Sequence, residues 1–433
     1  MAIYSNNVSI ANDGELIGGG VDWQSVKTAS FTAVAGEGYF IDTTSGAVTA
    51  TLPASPSLGD TVSIVMIAGT NAITVARNGS NIDGSAADQS LTVDGDTRQY
   101  VYVNASEGWK KVSTIGVQAE FISATGGTVT ESGDYRIHTF TGDGCFSVSS
   151  LGNGPTVPIG GPNTVSYLVV AGGGGGASAH GGGGGAGGFR EGRDIGPSYT
   201  ASPLVSPTGL TITNTTYPIT VGGGGSSLSV SPDGVPCGGC GTAPAGSISV
   251  FSTITSAGGG GGGGGNKDPI NPVVNGGSGG GGGNTGGPNI VGGSGNTPPV
   301  SPPQGNPGGT GAGSQGSGAG GGAGGAGTSQ PGSSPYPSTN GTAGGVGVST
   351  SISGSSLSYS GGGSGGGYGS PSSTAGSPCG TGGGAGNDPS PSKCGTANRG
   401  GGGGGRTPAG PTTSDSPTGA GGKGIVIIRY KFQ

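Results

Sequence analysis

Eight consecutive glycines, Gly258 to Gly265, constrain this chain more than anything else in it. They are not isolated: Gly400 to Gly405 is a run of six, and Gly279 to Gly283 and Gly181 to Gly185 are runs of five. Glycine loses more backbone freedom on folding than any other residue, so a helix or strand made of it is penalised. Such a region either stays unfolded or adopts a fold that requires the absence of side chains.

The glycine is segregated. Residues 1–120 hold 14 of the 111 glycines, and residues 167–433 hold 88. Charge changes with it. Up to Ile195 the net charge is −9; from Gly196 onward it is +3, with only 4 acidic and 7 basic residues. Neutralising phosphates needs clustered Lys and Arg, so nucleic acid is excluded as an expected partner. No apolar h-region follows Met1 and no run reaches the ~18 apolar residues of a membrane span, so neither a signal peptide nor membrane insertion is expected. The 5 cysteines are too few and too scattered for a disulfide scaffold.

Along the chain, residues 1–30 form a polar arm in which Trp23 is the one large apolar anchor, a candidate docking residue. Residues 31–117 read as short strands between turns, among them a hairpin signal at Asn78-Gly79 and a turn at Asp94-Gly95-Asp96. They predict a small all-β domain, a sandwich, with no helical periodicity. Residues 118–166 add further strands as a linking β segment. The glycine-rich domain, 167–433, opens on the apolar strand Tyr167–Val170 and closes on a strand within 425–432. Between its glycine runs lie turn-rich segments: 189–199, 266–275, 296–306, 328–340, 387–399 and 406–417.

Three folds suit so much glycine. Collagen needs glycine at every third position, and the register here breaks constantly. Disorder suits the composition, but a disordered tail has no reason to alternate apolar strands with glycine runs. Polyglycine II helices, left-handed with three residues per turn, remain: they lack internal hydrogen bonds but can bond laterally through their free N–H groups. Ordering each backbone unit costs roughly 1–2 kcal/mol, and each net hydrogen bond returns about 0.5–1.5 kcal/mol. A glycine lattice therefore needs the apolar strands to pin it. The expected architecture is an all-β N-terminal part followed by polyglycine II helices flanked by β-strands, with essentially no α-helix.

The motifs that suggest chemistry have simpler readings. G-x-G-x-x-G matches arise from the runs themselves. Cys237 and Cys240 form a C-x-x-C that, with Cys379 and Cys394, has the ligand count of a zinc site; a Cys379–Cys394 disulfide and unpaired thiols are the alternatives, and no metal or cofactor is expected. His138 reads as a packed strand residue and His180 as a turn residue. Asp94, Asp96, Asp134 and Asp143 read as turn residues, and no catalytic set assembles, so no enzyme is expected. Tyr336 and Tyr368 sit in turn contexts, where an exposed ring offers an apolar face and a hydroxyl to a sugar or a protein. With Asn340, Lys267 and Arg399 they are the candidate receptor-binding residues.

The segments HTFTGDGCFSVSS, VSYLVVAGGGGGASAHGGGGGAGGFREG, YPITVGGGG and GGKGIVIIRYKFQ together resemble the glycine-rich domain of tail-fibre-type proteins from phages of cyanobacteria, over roughly 133–433. Residues 31–115 are similar to a small β domain of such appendages. The resemblance implies a virion structural protein, a tail fibre or spike, that contributes to host attachment. Its expected partners are other virion proteins through the N-terminal part, a host surface glycan or protein, and copies of itself, as a homotrimer. A capsid decoration protein is the nearest alternative. An ice-binding protein, for which only Ala323 and Ala326 fall in register, and a glycan-cleaving appendage are the others.

Overall fold

In the computed structural model the chain divides into two units, Met1–Ala119 and Glu120–Gln433. The structure describes residues 3–5, 8–12, 15–16, 21–115, 120–154, 162–178, 180–194, 199–228, 242–265, 273–284, 288–312, 316–330, 341–367, 394–406 and 417–433. Among these there is no α-helix, and no sheet closes into a barrel.

In the first unit β1 (Ile3–Ser5), β2 (Val8–Asn12) and β3 (Glu15–Leu16) form a small antiparallel sheet. The chain then alternates between two larger sheets. β4 (Asp22–Lys27), β6 (Glu37–Asp42) and β8 (Thr61–Ala68) pair in parallel in one; β5 (Phe31–Thr32), β7 (Val48–Thr51) and β9 (Ile73–Ala76) pair in parallel in the other. β10 (Gln89–Leu91) finishes the second sheet antiparallel to β9. The hairpin of β11 (Thr97–Asn104) and β12 (Gly108–Ile115) finishes the first. The core between them includes Ile41, Val48, Leu52, Ile64, Met66, Ile73, Tyr100 and Trp109. Two facing sheets around one core agree with expectation; the parallel, coil-like winding was not foreseen. Asn78 and Gly79 do adopt left-handed φ values of 48° and 92°, but the turn leads into a long excursion before β10. Local turn chemistry cannot say whether the next strand returns to the same sheet or crosses to the other.

In the second unit β13 (Ser123–Thr125), β14 (Thr128–Ser132), β15 (Tyr135–Phe140) and β16 (Gly144–Ser150) come from the segment read as a linker. They are integral to two sheets shared with the glycine region. One sheet has the order β13, β16, β21 (Thr216–Thr220), β22 (Ser249–Phe251), β23 (Ile254–Ser256). The other runs β14, β15, β26 (Ile425–Lys431), β17 (Thr164–Val170), β18 (Phe189–Gly192), β19 (Val205–Ser206), with β20 (Leu210–Thr211) also on β17. A separate hairpin joins β24 (Val348–Thr350) to β25 (Leu357–Tyr359).

β17 and β26 are hydrogen-bonded neighbours, Ser166 opposite Arg429 and Val170 opposite Ile425. The whole glycine region is thus one long excursion between two adjacent strands. Both strands are buried on both faces, which is why they read as unbroken apolar runs. Val165, Tyr167, Val169, Val426, Ile428 and Tyr430 enter the core between the sheets. Leu168, Val170, Ile425 and Ile427 enter a second core with Ala323, Val348, Ile352 and Tyr359. Two buried charges brace this second side. The Glu191 carboxylate accepts from Ser202 N at 2.9 Å and Thr350 Oγ1 at 2.6 Å. Arg429 donates to Ile352 O at 3.3 Å and lies against the rings of Tyr135 and Tyr199 at 5.0 and 5.5 Å.

Candidate functional site: the free end of a glycine lattice

Beyond the sheets the glycine runs form polyglycine II helices, and the hydrogen bonds reveal the threefold screw. In 171–178, the N–H groups of Ala171, Gly174 and Ala177 bond Gly188, Gly185 and Gly182. Those of Gly172 and Gly175 bond Ser247 and Pro244, and those of Gly173 and Gly176 bond Gly422 and Gly419. Each third residue addresses the same neighbour, as three residues per turn require.

The 180–188 helix is the centre. It donates to three helices: Gly181, Gly184 and Gly187 to 400–406, Gly182, Gly185 and Gly188 to 257–265, and Gly183 and Ala186 to 316–324. It accepts from three more: 171–178, the helix of Ser278 and Gly281, and the helix of Gly363 and Gly366. Six neighbours surround one helix in a hexagonal array. Backbones approach so closely that a Cβ on Gly184 would stand 2.1 Å from the Gly174 carbonyl oxygen, and one on Gly182 2.0 Å from that of Gly281.

The helices run away from the sheets and back. At the sheet end the turn 295–304 closes on itself: Asn296 Oδ1 accepts from Val300 N and Gln304 N at 3.1 and 3.2 Å, and Gln304 Nε2 donates to Pro298 O at 2.8 Å. The far end is different. Seven stretches between the helices, 229–241, 266–272, 285–287, 313–315, 331–340, 368–393 and 407–416, are outside the described residues. Where the helices run full length, as in 171–178, 257–265 and 360–367, the last described residue lies roughly 20–25 Å from the strands at ~3.1 Å per residue. His180 O accepts from Asn284 N at 3.0 Å and from Ser317 Oγ at 2.6 Å. Thr342 Oγ1 donates to Ser317 O at 2.7 Å, and Gly181 N to Arg406 O at 3.0 Å. Leu228 N donates to Thr418 Oγ1 at 2.8 Å. Asn284, Ser317, Thr342, Arg406 and Thr418 are buried, a polar collar that no local pattern in the sequence announces. His180 turns the chain here with φ +64°, and burial pushes its pKa down.

The expected contact residues divide accordingly. Tyr336, Asn340, Tyr368 and Lys267 lie outside the described residues. Cys237, Cys240 and Cys379 do too; Cys394 is exposed, as is Cys145. Arg399 belongs to the sheet end: its Nη1 donates to Ser358 O at 3.0 Å and its guanidinium lies 5.1 Å from the Tyr359 ring. The segments 189–194 and 296–306 are at that end as well: the first contains β18, and Gln304 O of the second accepts from Phe189 N at 2.9 Å. Ala323 is buried against the sheet and Ala326 is exposed, so the two do not share a flat surface. Among the described residues no three His, Cys, Asp or Glu side chains gather as metal ligands.

In the first unit Trp23 is 44% exposed on edge strand β4 and stacks on Phe40, centroids 4.6 Å apart. Gly38 makes the seat: a Cβ there would be 2.6 Å from Trp23 Cε3. The edge itself is guarded against strand addition by a bulge between Gln24 and Lys27 and by the lysine.

No curated protein matches this chain. A family model described as a glycine-rich domain matches residues 149–431, from the end of β16 to the last residue of β26. The match covers β17 to β26 and the lattice between them, while β13, β14, β15 and most of β16 precede it; the chain belongs to this glycine-rich domain family.

Proposed function

We propose that this chain is a virion structural protein, a tail-fibre or spike component that attaches a phage to its host. The lattice holds seven segments at one end, and these contact a glycan or protein of the host surface. The first unit, with Trp23 in its glycine-lined seat, docks on other virion proteins, and the fibre is a homotrimer. The observation that supports this reading is the polarity of the lattice. The sheet-end turn 295–304 is pinned by its own side chains, whereas the seven stretches outside the described residues, among them the Pro- and Ser-rich 331–340, interrupt the helices away from the sheets. Recognition commonly sits on loops that a rigid scaffold positions.

The test replaces the seven stretches by short Gly-Ser connections and measures cell adsorption of virions carrying the variant. Adsorption is expected to be lost while assembly into the virion persists. Normal adsorption with all seven replaced would overturn the reading.

A further inference from the structure

His138 on β15 is fully buried in the core between the two sheets of the second unit. Its ring stacks on Tyr430 of β26, centroids 5.5 Å apart and planes inclined by 23°, and meets Phe146 of β16 edge-on at 5.1 Å. Nδ1 lies 2.7 Å from the Gly126 carbonyl oxygen. A carbonyl only accepts, so Nδ1 carries the proton. Nε2 is then the bare acceptor, and the Tyr430 hydroxyl, 2.9 Å away, donates to it. Arg136, two residues before His138 on β15, is paired with Glu131 of β14 at 2.8 Å.

The cluster ties β14 and β15 to β26, the strand that returns from the glycine lattice. A second proton on the imidazole changes it. Nε2–H then points at the Tyr430 oxygen, and the Tyr430 hydroxyl loses the acceptor to which it donated its own proton. The charged and titratable groups packed around the ring are Tyr430 from β26 and Arg136 on β15, with Glu131 of β14 behind the guanidinium. β16 contributes Phe146, and the turn before β14 the Gly126 carbonyl.

We propose that His138 and Tyr430 form an acid-operated latch: a proton taken up at His138 Nε2 loosens β26 from β15 and so releases the clamp on the glycine lattice. Burial above all holds the His138 pKa below its ordinary 6.5; the Gly126 carbonyl raises it, and Arg136 lowers it again. For a depressed histidine the stabilisation is complete above the unfolded value and is lost as pH falls from about 6.5 toward the folded value. Across that interval the equilibrium constant for opening rises about tenfold per pH unit.

Hydrogen exchange on the full chain between pH 7.5 and 5, corrected for intrinsic rates, tests this. Protection of β15 and β26 amides is expected to fall about tenfold per pH unit below about 6.5. Amides of the first unit, which has no histidine, keep their protection. In His138→Gln, which retains one donor and one acceptor, the slope should vanish although His180 remains. An unchanged slope in that variant, or none in the parent protein, overturns the proposal. Should the variant not fold, an NMR titration of the His138 ring decides: protonation centred well below 6.5 supports the latch, and at or above it refutes it.

Discussion

At the scale of the residue, most lattice glycines are required because a neighbour's backbone occupies the place of a Cβ. Gly184 and Gly223 separate this from glycine's flexibility. A methyl on Gly184 collides with the Gly174 carbonyl, whereas one on Gly223 meets nothing within 4 Å. Overpacking against atoms that cannot yield costs about 1–3 kcal/mol. Gly→Ala at a compatible site instead gains about 0.4–1 kcal/mol by stiffening the unfolded chain. Gly184→Ala should therefore lower the urea midpoint of the second unit, and Gly223→Ala should leave it unchanged or raise it. Equal midpoints would mean that the array relaxes around a methyl group. Individual residues were partly legible. His138 and His180 are the packed strand residue and the turn residue that their settings predict. Glu191 and Arg429 gave no sign of being buried, because their partners Ser202, Thr350 and Ile352 are distant in the chain or supply only backbone.

At the scale of the element, β26 decides whether the second unit folds. It bonds β15 on one side and β17 on the other and sends side chains into both cores. Full burial of a Val, Ile or similar side chain contributes about 1.5–3 kcal/mol. The five apolar side chains of β26 are thus worth as much as the whole net stability of an ordinary domain, about 5–15 kcal/mol. Removing residues 425–433 should abolish the calorimetric transition of the second unit and leave that of the first. A surviving second transition would show that the lattice holds itself together. The strand was readable as an apolar run; its central position was not, since register between segments more than 250 residues apart leaves no local trace.

At the scale of the whole molecule, the described helices of the second unit hold one another as a scaffold. The hydrogen bonds of the array are made by the helices, and the collar of Ser317, Thr342, Arg406 and Thr418 closes it beneath the departing stretches. Loop closure changes by about 0.6 kcal/mol per doubling of length. Cutting 368–393 to a quarter of its length should therefore leave the second unit about 1 kcal/mol more stable, read as a raised urea midpoint. A large loss of stability would place that stretch within the fold instead of on it.

The glycine runs by themselves determined that any ordered form must be a side-chain-free array, since no helix or strand interior suits them. The bracketing strands determined that such an array has apolar anchors. Which helix lies at the centre, which turns face the sheets and which stretches share the free end were decided by the tertiary structure. Glycine helices of identical composition carry no label for their neighbours; their order follows from the strand pairs that fix where each run begins, and from the few side chains that close each end.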